Sequence, residues 1–319
     1  MNNAKVSVCI AVYNVEKYIE QCVRSLFGQT LDDLEYVFVD DASPDASIDV
    51  MLRVLEEYPH RKNQVKLIRH EHNQGVAVTR KDAIAAATGE YIIHCDPDDW
   101  VELDMYETLY REISQSNADM VYCWSAEEYT DKRKITEIPE LSPEKMICYI
   151  IETLTFGGLF DKMYRRKFYN DPTNIYLPNL CIMEDTFLNI QMLKKCSNVR
   201  RIPKDFYHYR RDLESSLTSK PMNINMINSF VAVYSKLEKI MTSPEECDIL
   251  DNKKNSLLLT ILQNDFLPAK TWHSLWKNAK YKLLWRRGYP IKLKCIFYLA
   301  CLNYPFAVWL WRKIRECKK

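Results

Sequence analysis

Apolar positions in the first hundred residues follow two alternating rhythms. Short unbroken runs at residues 6–12, 35–39, 65–68 and 90–95 have the length of buried strands and are too short for ordinary helices. Between them, apolar side chains recur at helical spacing. In residues 15–27 these are Val15, Tyr18, Ile19, Cys22, Val23 and Leu26; residues 48–58 repeat the pattern behind Ser47 as a predicted N-cap, and residues 76–87 form a small-residue helix. Strands that alternate with helices and are apolar along their whole length predict a parallel sheet covered on both faces. In such sheets ligands bind beyond the C-terminal strand ends. Tyr13 and Asn14, Asp40 and Asp41, and Asp96 to Asp99 all fall there.

The pattern continues with a helix at residues 103–116, a strand at 119–124, a polar connection at 125–140 and a helix opened by Ser142, Pro143 and Glu144. Two glycines, Gly157 and Gly158, allow close backbone approach before the segment FDKMYRR, residues 160–166. Glu184 and Asp185 stand at the start of a helix, where acids also serve simply to complement the helix dipole. Tyr207 and Tyr209 alternate like strand residues. Residues 223–266 read as two helices parted near Ser243 and Pro244.

With 319 residues, 47% hydrophobic and 27% charged, the chain has an ordinary globular composition. A formal net charge of +1 conceals an asymmetry. Residues 277–319 hold twelve Lys or Arg and one acid, Glu316, so this segment carries +11 and the remainder −10. Aromatic clusters around Trp285, Tyr298 and Trp309 lie among those cations, a composition that suits a helix in the interface of an anionic membrane; the competing reading is a basic helical cap packed on the preceding domain. Asn303 and Pro305 interrupt the span, and no apolar run reaches the ~18 residues of a membrane crossing. Nucleic acid is not an expected partner, because no nucleic-acid motif accompanies the charge. Eleven cysteines without a Cys-x-x-Cys pair read as reduced thiols of a cytosolic protein, and the polar start of the chain excludes a cleavable signal. His70, Glu71 and His72 read as a surface loop, since no second ligand group stands at metal-site spacing.

The acids at residues 96–99 leave two readings open. One is a solvated turn in which Asp96 or Asp98 caps the next helix; the other is an oxygen-only site for Mg2+ or Mn2+, which would neutralise mutually repelling carboxylates. Neither Gly-x-Gly-x-x-Gly nor Gly-x-x-x-x-Gly-Lys-Ser/Thr occurs, and with six glycines the chain has no glycine-rich phosphate loop. Ser43 and Asp45 also fit a plain turn and helix cap.

Four ordered segments resemble glycosyltransferase family 2, the inverting family with the GT-A fold: residues 6–19 (VSVCIAVYNVEKYI), 39–45 (VDDASPD), 73–80 (NQGVAVTR) and 89–100 (GEYIIHCDPDDW). The resemblance implies a GT-A domain over residues 1–218, with a nucleotide-sugar half at 1–101 and an acceptor half at 102–218, followed by a helical region at 219–319. It implies a donor site at Val12, Tyr13, Asn14, Asp40, Asp41, Arg80, Asp96 and Asp98, with Asp40 on the base, Arg80 facing diphosphate, and Asp96 opening the family's Asp-x-Asp element. A divalent cation, Mn2+ or Mg2+, is assigned to Asp98 and Asp99, and the catalytic acids are Asp185 as general base and Glu184 beside it. The segment FYHYRR, residues 206–211, with Ser215 and Ser216, is similar to the family's element after the base, so His208, Tyr209 or Arg210 could close over diphosphate or acceptor. Where the family usually follows its arginine with Asn, this chain has Lys81 and Asp82. The function implied is hexosyl transfer from a nucleotide sugar, UDP-linked, to a glycan or lipid-linked acceptor of cell-surface polysaccharide, at the cytoplasmic face of the membrane. The alternatives are a sugar nucleotidyltransferase, which would release pyrophosphate, and a non-catalytic membrane-associated scaffold.

Overall fold

The computed structural model describes residues 4–177, 180–211, 221–285 and 290–316. It divides into two compact units, Met1–Ile147 with Thr155–Lys220, and Cys148–Leu154 with Pro221–Lys319. In the first unit the order is β1 (Val6–Val12), α1 (Ile19–Phe27), β2 (Leu34–Asp40), α2 (Ser47–Glu56), β3 (Val65–Arg69), α3 (Val76–Ala86), β4 (Tyr91–His94), β5 (Trp100–Val101), α4 (Met105–Gln115), β6 (Met120–Glu128) and β7 (Arg133–Thr136). After α5 (Pro143–Thr153) come β8 (Lys162–Arg165), α6 (Arg166–Tyr169), α7 (Glu184–Leu193) and β9 (Val199–Arg210).

Nine strands among the described residues form one sheet in the order β3-β2-β1-β4-β8-β6-β9-β5, with β7 paired to β6. The first four strands are parallel, as their nearly continuous apolar runs predict, and β1 registers Val12 against Asp40 of β2. The later strands mix directions: β8 is antiparallel to β4 and β6, and β9 is parallel to β6 and antiparallel to β5. Both faces are covered. Ile19, Cys22, Val23, Leu26 and Phe27 of α1 pack on Val8, Ile10, Tyr36 and Phe38 in one buried cluster, each such side chain contributing about 1.5–3 kcal/mol.

Two expectations change. The polar stretch 125–140 is a hairpin: β6 runs on to Glu128 and pairs Ser125 to Glu128 with Arg133 to Thr136, cross-strand partners such as Glu127 and Lys134 meeting in register. Ser47 is not the N-cap of α2. It is the helix's first residue, and its N–H and hydroxyl are both taken by Asp45 Oδ1. Asp45 and Ser43 thus serve the turn.

The second unit is helical, with α8 (Ile224–Ile240), α9 (Pro244–Asn264), α10 (Ala269–Ser274), α11 (Lys277–Trp285), α12 (Ile291–Leu302) and α13 (Tyr304–Glu316). The break read at Ser243 and Pro244 is a capping box: the Ser243 hydroxyl accepts from Glu246 N, and the Glu246 carboxylate accepts from Ser243 N. No described helix is long and apolar enough to cross a membrane.

Candidate active site

The parallel strands set the floor. Val12 is buried at the end of β1, and the chain then turns through Asn14 at φ 55°, leaving Tyr13 about half exposed. Level with it, Asp40 ends β2. Its Oδ1 accepts from Ser43 N at 2.9 Å, and Oδ2 has no partner among the described residues. Asp41, expected beside the donor, has another task. Both its oxygens are taken, by His70 Nδ1 at 2.7 Å and by the N–H groups of Gln74 and Gly75 at 2.8 Å, which together hold its carboxyl below the usual range despite burial. It ties down the entry to α3, where Gly75 turns at φ 88°. His70 is therefore no surface residue. Its side chain is 6% exposed and spans Asp41 and Asp82, so the unusual Asp82 is a partner for His70.

The acidic loop after β4 separates three carboxylates that look equivalent in sequence. Asp96 Oδ1 accepts from Arg80 Nη2 at 2.8 Å. Asp98 receives no hydrogen bond to its carboxylate from any other described residue; burial, and then the charge of Asp96, push it up to about 6. Asp99, expected as a cation ligand, is 1% exposed with both oxygens engaged: Tyr207 Oη donates to Oδ2 and Arg210 N to Oδ1, each at 2.7 Å. It braces the loop against β9, each oxygen already accepting a hydrogen bond. The cause is topological. Antiparallel pairing of β5 with β9 sets Trp100 against His208 and Val101 against Tyr207, carrying Asp99 to the end of β9. Two register shifts against β6, on either side of the Trp124–Asp205 pair, the first spanning Pro203, a residue without an N–H for the ladder, bring β9 into that register.

The same pairing decides the basic and aromatic segment. His208 lies flat on Trp100, with ring planes 2° apart, and its nitrogens meet Glu128 at 2.8 Å and Glu102 at 3.0 Å. Tyr209 stacks on Phe160. Both are residues of β9. Arg210 is held between Tyr18 and Trp100, donating to Asp98 O at 2.8 Å and to Gln21 Oε1 at 2.5 Å. Ser215 and Ser216 lie outside the described residues.

The second acid pair comes from α7. Met183 adopts a left-handed conformation, φ 69°, just before the helix, a strained geometry for a side chain of that kind. Glu184 then binds Arg80 Nη1, and burial with the adjacent Asp185 charge pushes Glu184 up to about 7. Arg80 thereby bridges Asp96 and Glu184, joining the two halves of the site. The Arg80 charge, after burial, helps keep His94 neutral, its value drawn down to about 3. Asp185 Oδ1 accepts from Thr186 N at 2.5 Å, and Oδ2 has no partner among the described residues. A cleft of about 20 Å³, room for one water-sized group, is walled by Arg80, Glu184, Asp185, Tyr176 and Leu188.

Sequence reasoning missed the support behind this pair. Asp161 and Lys162 form a fully buried ion pair, Nζ to Oδ1 at 2.5 Å, with Lys162 over the Phe156 ring. Burial drives the Asp161 carboxyl up and the Lys162 ammonium down. Gly157 lies so close to α7 that a Cβ would stand 2.3 Å from Thr186 Oγ1, and Asn189 Nδ2 donates back to Gly157 O at 3.0 Å. The adjacent glycines were the available signal for this contact. Tyr207 and Gln21 had none.

Residues 7–172 match the model of Glycosyl transferase family 2. The chain is similar to "Putative glycosyltransferase EpsH" of Bacillus subtilis, at 35% identity over 67% of this chain and 63% of that protein's length. It is also similar to a poly(ribitol-phosphate) beta-glucosyltransferase of Bacillus spizizenii, at 35% identity over 88% of this chain and 42% of the relative. Among solved structures, S. aureus TarS 1-349 in complex with UDP-GlcNAc superposes with a TM-score of 0.63 at 18% identity, covering 97% of this chain and 92% of that one.

Proposed function

Starting from a chain that belongs to glycosyltransferase family 2, we propose that this protein moves a sugar from a nucleotide donor to a hydroxyl of a glycan or lipid-linked acceptor in cell-surface polysaccharide synthesis. The observation that carries the reading is Arg80, one guanidinium bridging Asp96 of the donor half and Glu184 of the acceptor half. A UDP donor is supported by the UDP-GlcNAc bound to the similar structure, and a polymer acceptor by the name of the glucosyltransferase relative.

In this reading the open Oδ2 of Asp40 accepts from the base, with Tyr13 beside it. Arg80 and the Arg210 guanidinium face the diphosphate, bidentate donors suited to phosphate oxygens. Asp98, buried and unneutralised next to Asp96, fits a divalent cation, Mn2+ or Mg2+. No cluster of three ligating side chains occurs among the described residues, so diphosphate oxygens and water would complete its shell, the usual arrangement for Mg2+. When bound, the cation offsets charge developing on the departing diphosphate. Asp185 Oδ2 takes the proton from the acceptor hydroxyl; that oxygen bonds to the anomeric carbon as the bond from this carbon to the diphosphate oxygen breaks, inverting the centre. Glu184 holds Arg80, and Thr186 fixes Oδ1 of the base. The cationic residues 277–319 are proposed to hold the protein at the inner membrane face.

A donor screen reading UDP release tests the assignment. Activity with one UDP-sugar should stop on EDTA addition, and Asp185→Asn should lower kcat by about 10²–10⁴ with UDP binding unchanged. Pyrophosphate release, or full turnover in Asp185→Asn, would refute it.

A further inference from the structure

The helical unit contains a cavity of about 550 Å³, within the ~300–1,000 Å³ of small-ligand sites. Its walls are largely hydrocarbon and aromatic, contributed by α10, α11 and α12 and including Trp272, Leu284, Tyr298 and Leu302. Beside His273, Tyr281 and Tyr298, the walls carry two cations, Lys277 and Lys280. Lys280 Nζ caps the end of α10 by donating to the carbonyls of Trp272 and His273 and lies 4.2 Å from the Trp272 ring, which leaves one N–H unspent. Burial lowers its ammonium to about 8, so it is charged at neutral pH. Lys277 has no carboxylate partner among the described residues. Trp272 itself is fully buried behind the wall, its indole N–H without an acceptor among the described residues and out of reach of a ligand in the cavity. Excess donors on an apolar wall call for a ligand that brings both hydrocarbon and acceptor oxygens.

Next to the cavity, α12 has two apolar faces. Ile296, Phe297 and Ala300 are buried within the unit, whereas Ile291, Tyr298 and Leu302, at spacings of seven and four, are 54–79% exposed. Charge is distributed to match. Lys282 is neutralised by Asp248 and Asp251, and Arg312 pairs with Asp265, but Lys277, Lys292 and Lys294 on α11 and α12 meet no acid among the described residues.

We propose that this cavity seats a hydrocarbon chain of an anionic phospholipid, with the phosphate at Lys277 and Lys280 and the exposed face of α12 lying in the bilayer interface. The inference deepens the membrane placement proposed above and rests on that part alone. Donor chemistry is independent of it.

The full-length protein is sedimented with phosphatidylcholine vesicles and with vesicles containing about 30% phosphatidylglycerol, which should bind it at least ~10-fold more tightly. Cys301→Phe narrows the cavity without changing charge and should weaken that binding about tenfold, while Lys277→Glu with Lys292→Glu should abolish the preference. If Cys301→Phe lowers the melting temperature, Leu302→Ser, at an exposed position, serves in its place. Equal binding of wild type to both vesicles, or none, overturns the proposal. Unchanged binding by folded Cys301→Phe and Leu302→Ser overturns the cavity and leaves the membrane placement standing. Tenfold tighter binding to vesicles of equal charge carrying a polyprenyl phosphate would assign the site to an acceptor lipid instead. A dimer in sedimentation velocity that binds no vesicles would assign the face to a second copy. UDP release, read in parallel, tests the transferase reading separately.

Discussion

Asp98 is a carboxylate that no other described residue hydrogen-bonds, and its energetics follow from that. Because its folded value is raised to about 6 from an ordinary carboxylate value, the folded state holds the proton more tightly than the unfolded chain does. This contribution to stability is present below about pH 4 and is lost as pH climbs through 6. Glu184, raised to about 7, follows the same sign in a window reaching one unit higher. Asp98→Asn should therefore raise the melting temperature of the metal-free protein by roughly 2–4 °C at pH 8 and change it little at pH 4, as calorimetry across that range would show. The proposed cation competes for the same oxygens, so its affinity should fall as pH drops below 6. Asp99, whose carboxyl is likewise driven up by burial and by the charges of Asp98 and Asp96, differs in being hydrogen-bonded: Asp99→Ala strands the Tyr207 hydroxyl and the Arg210 N–H, and should cost about 1–3 kcal/mol in chemical denaturation.

At the scale of elements, the site depends on two close approaches. β9 meets β5 through Trp100 and His208, and the loop at Gly157 meets α7 at Thr186. Gly157→Ala places a methyl group 2.3 Å from Thr186 Oγ1, so the loop or the helix must shift. Expected are a loss of about 1–3 kcal/mol in denaturant titration and a larger fall in kcat than in donor affinity, because the displaced atoms adjoin Asp185 and not Asp40. The four parallel strands and their helices were legible from alternation alone, since nearly continuous apolar strand runs alternate with segments of helical spacing. The β6–β7 hairpin was not. Its residues are polar and charged, and its stability comes from cross-strand partners such as Glu127 and Lys134, which have no periodic signature.

For the molecule as a whole, ligand binding offers the broadest check. UDP with Mn2+ at about 100 times their dissociation constant should add about 2.7 kcal/mol of stability, seen as a rise in melting temperature that EDTA reverses. Absence of that shift would count against the donor site whatever the acceptor.

The order of the first four strands and their helices, the placing of acids at strand ends and at the start of α7, and the cationic charge of the last forty or so residues follow from sequence alone, because periodicity, helix signals and charge are properties of neighbouring residues. Which acid does what followed only from the tertiary structure. Asp96, Asp98 and Asp99 have nearly the same local sequence, yet one is paired to Arg80, one is left open and one is locked to Tyr207 and Arg210, more than a hundred positions away. A carboxylate's role is set by the donors and burial around it, and those are delivered by strand pairing across the sheet.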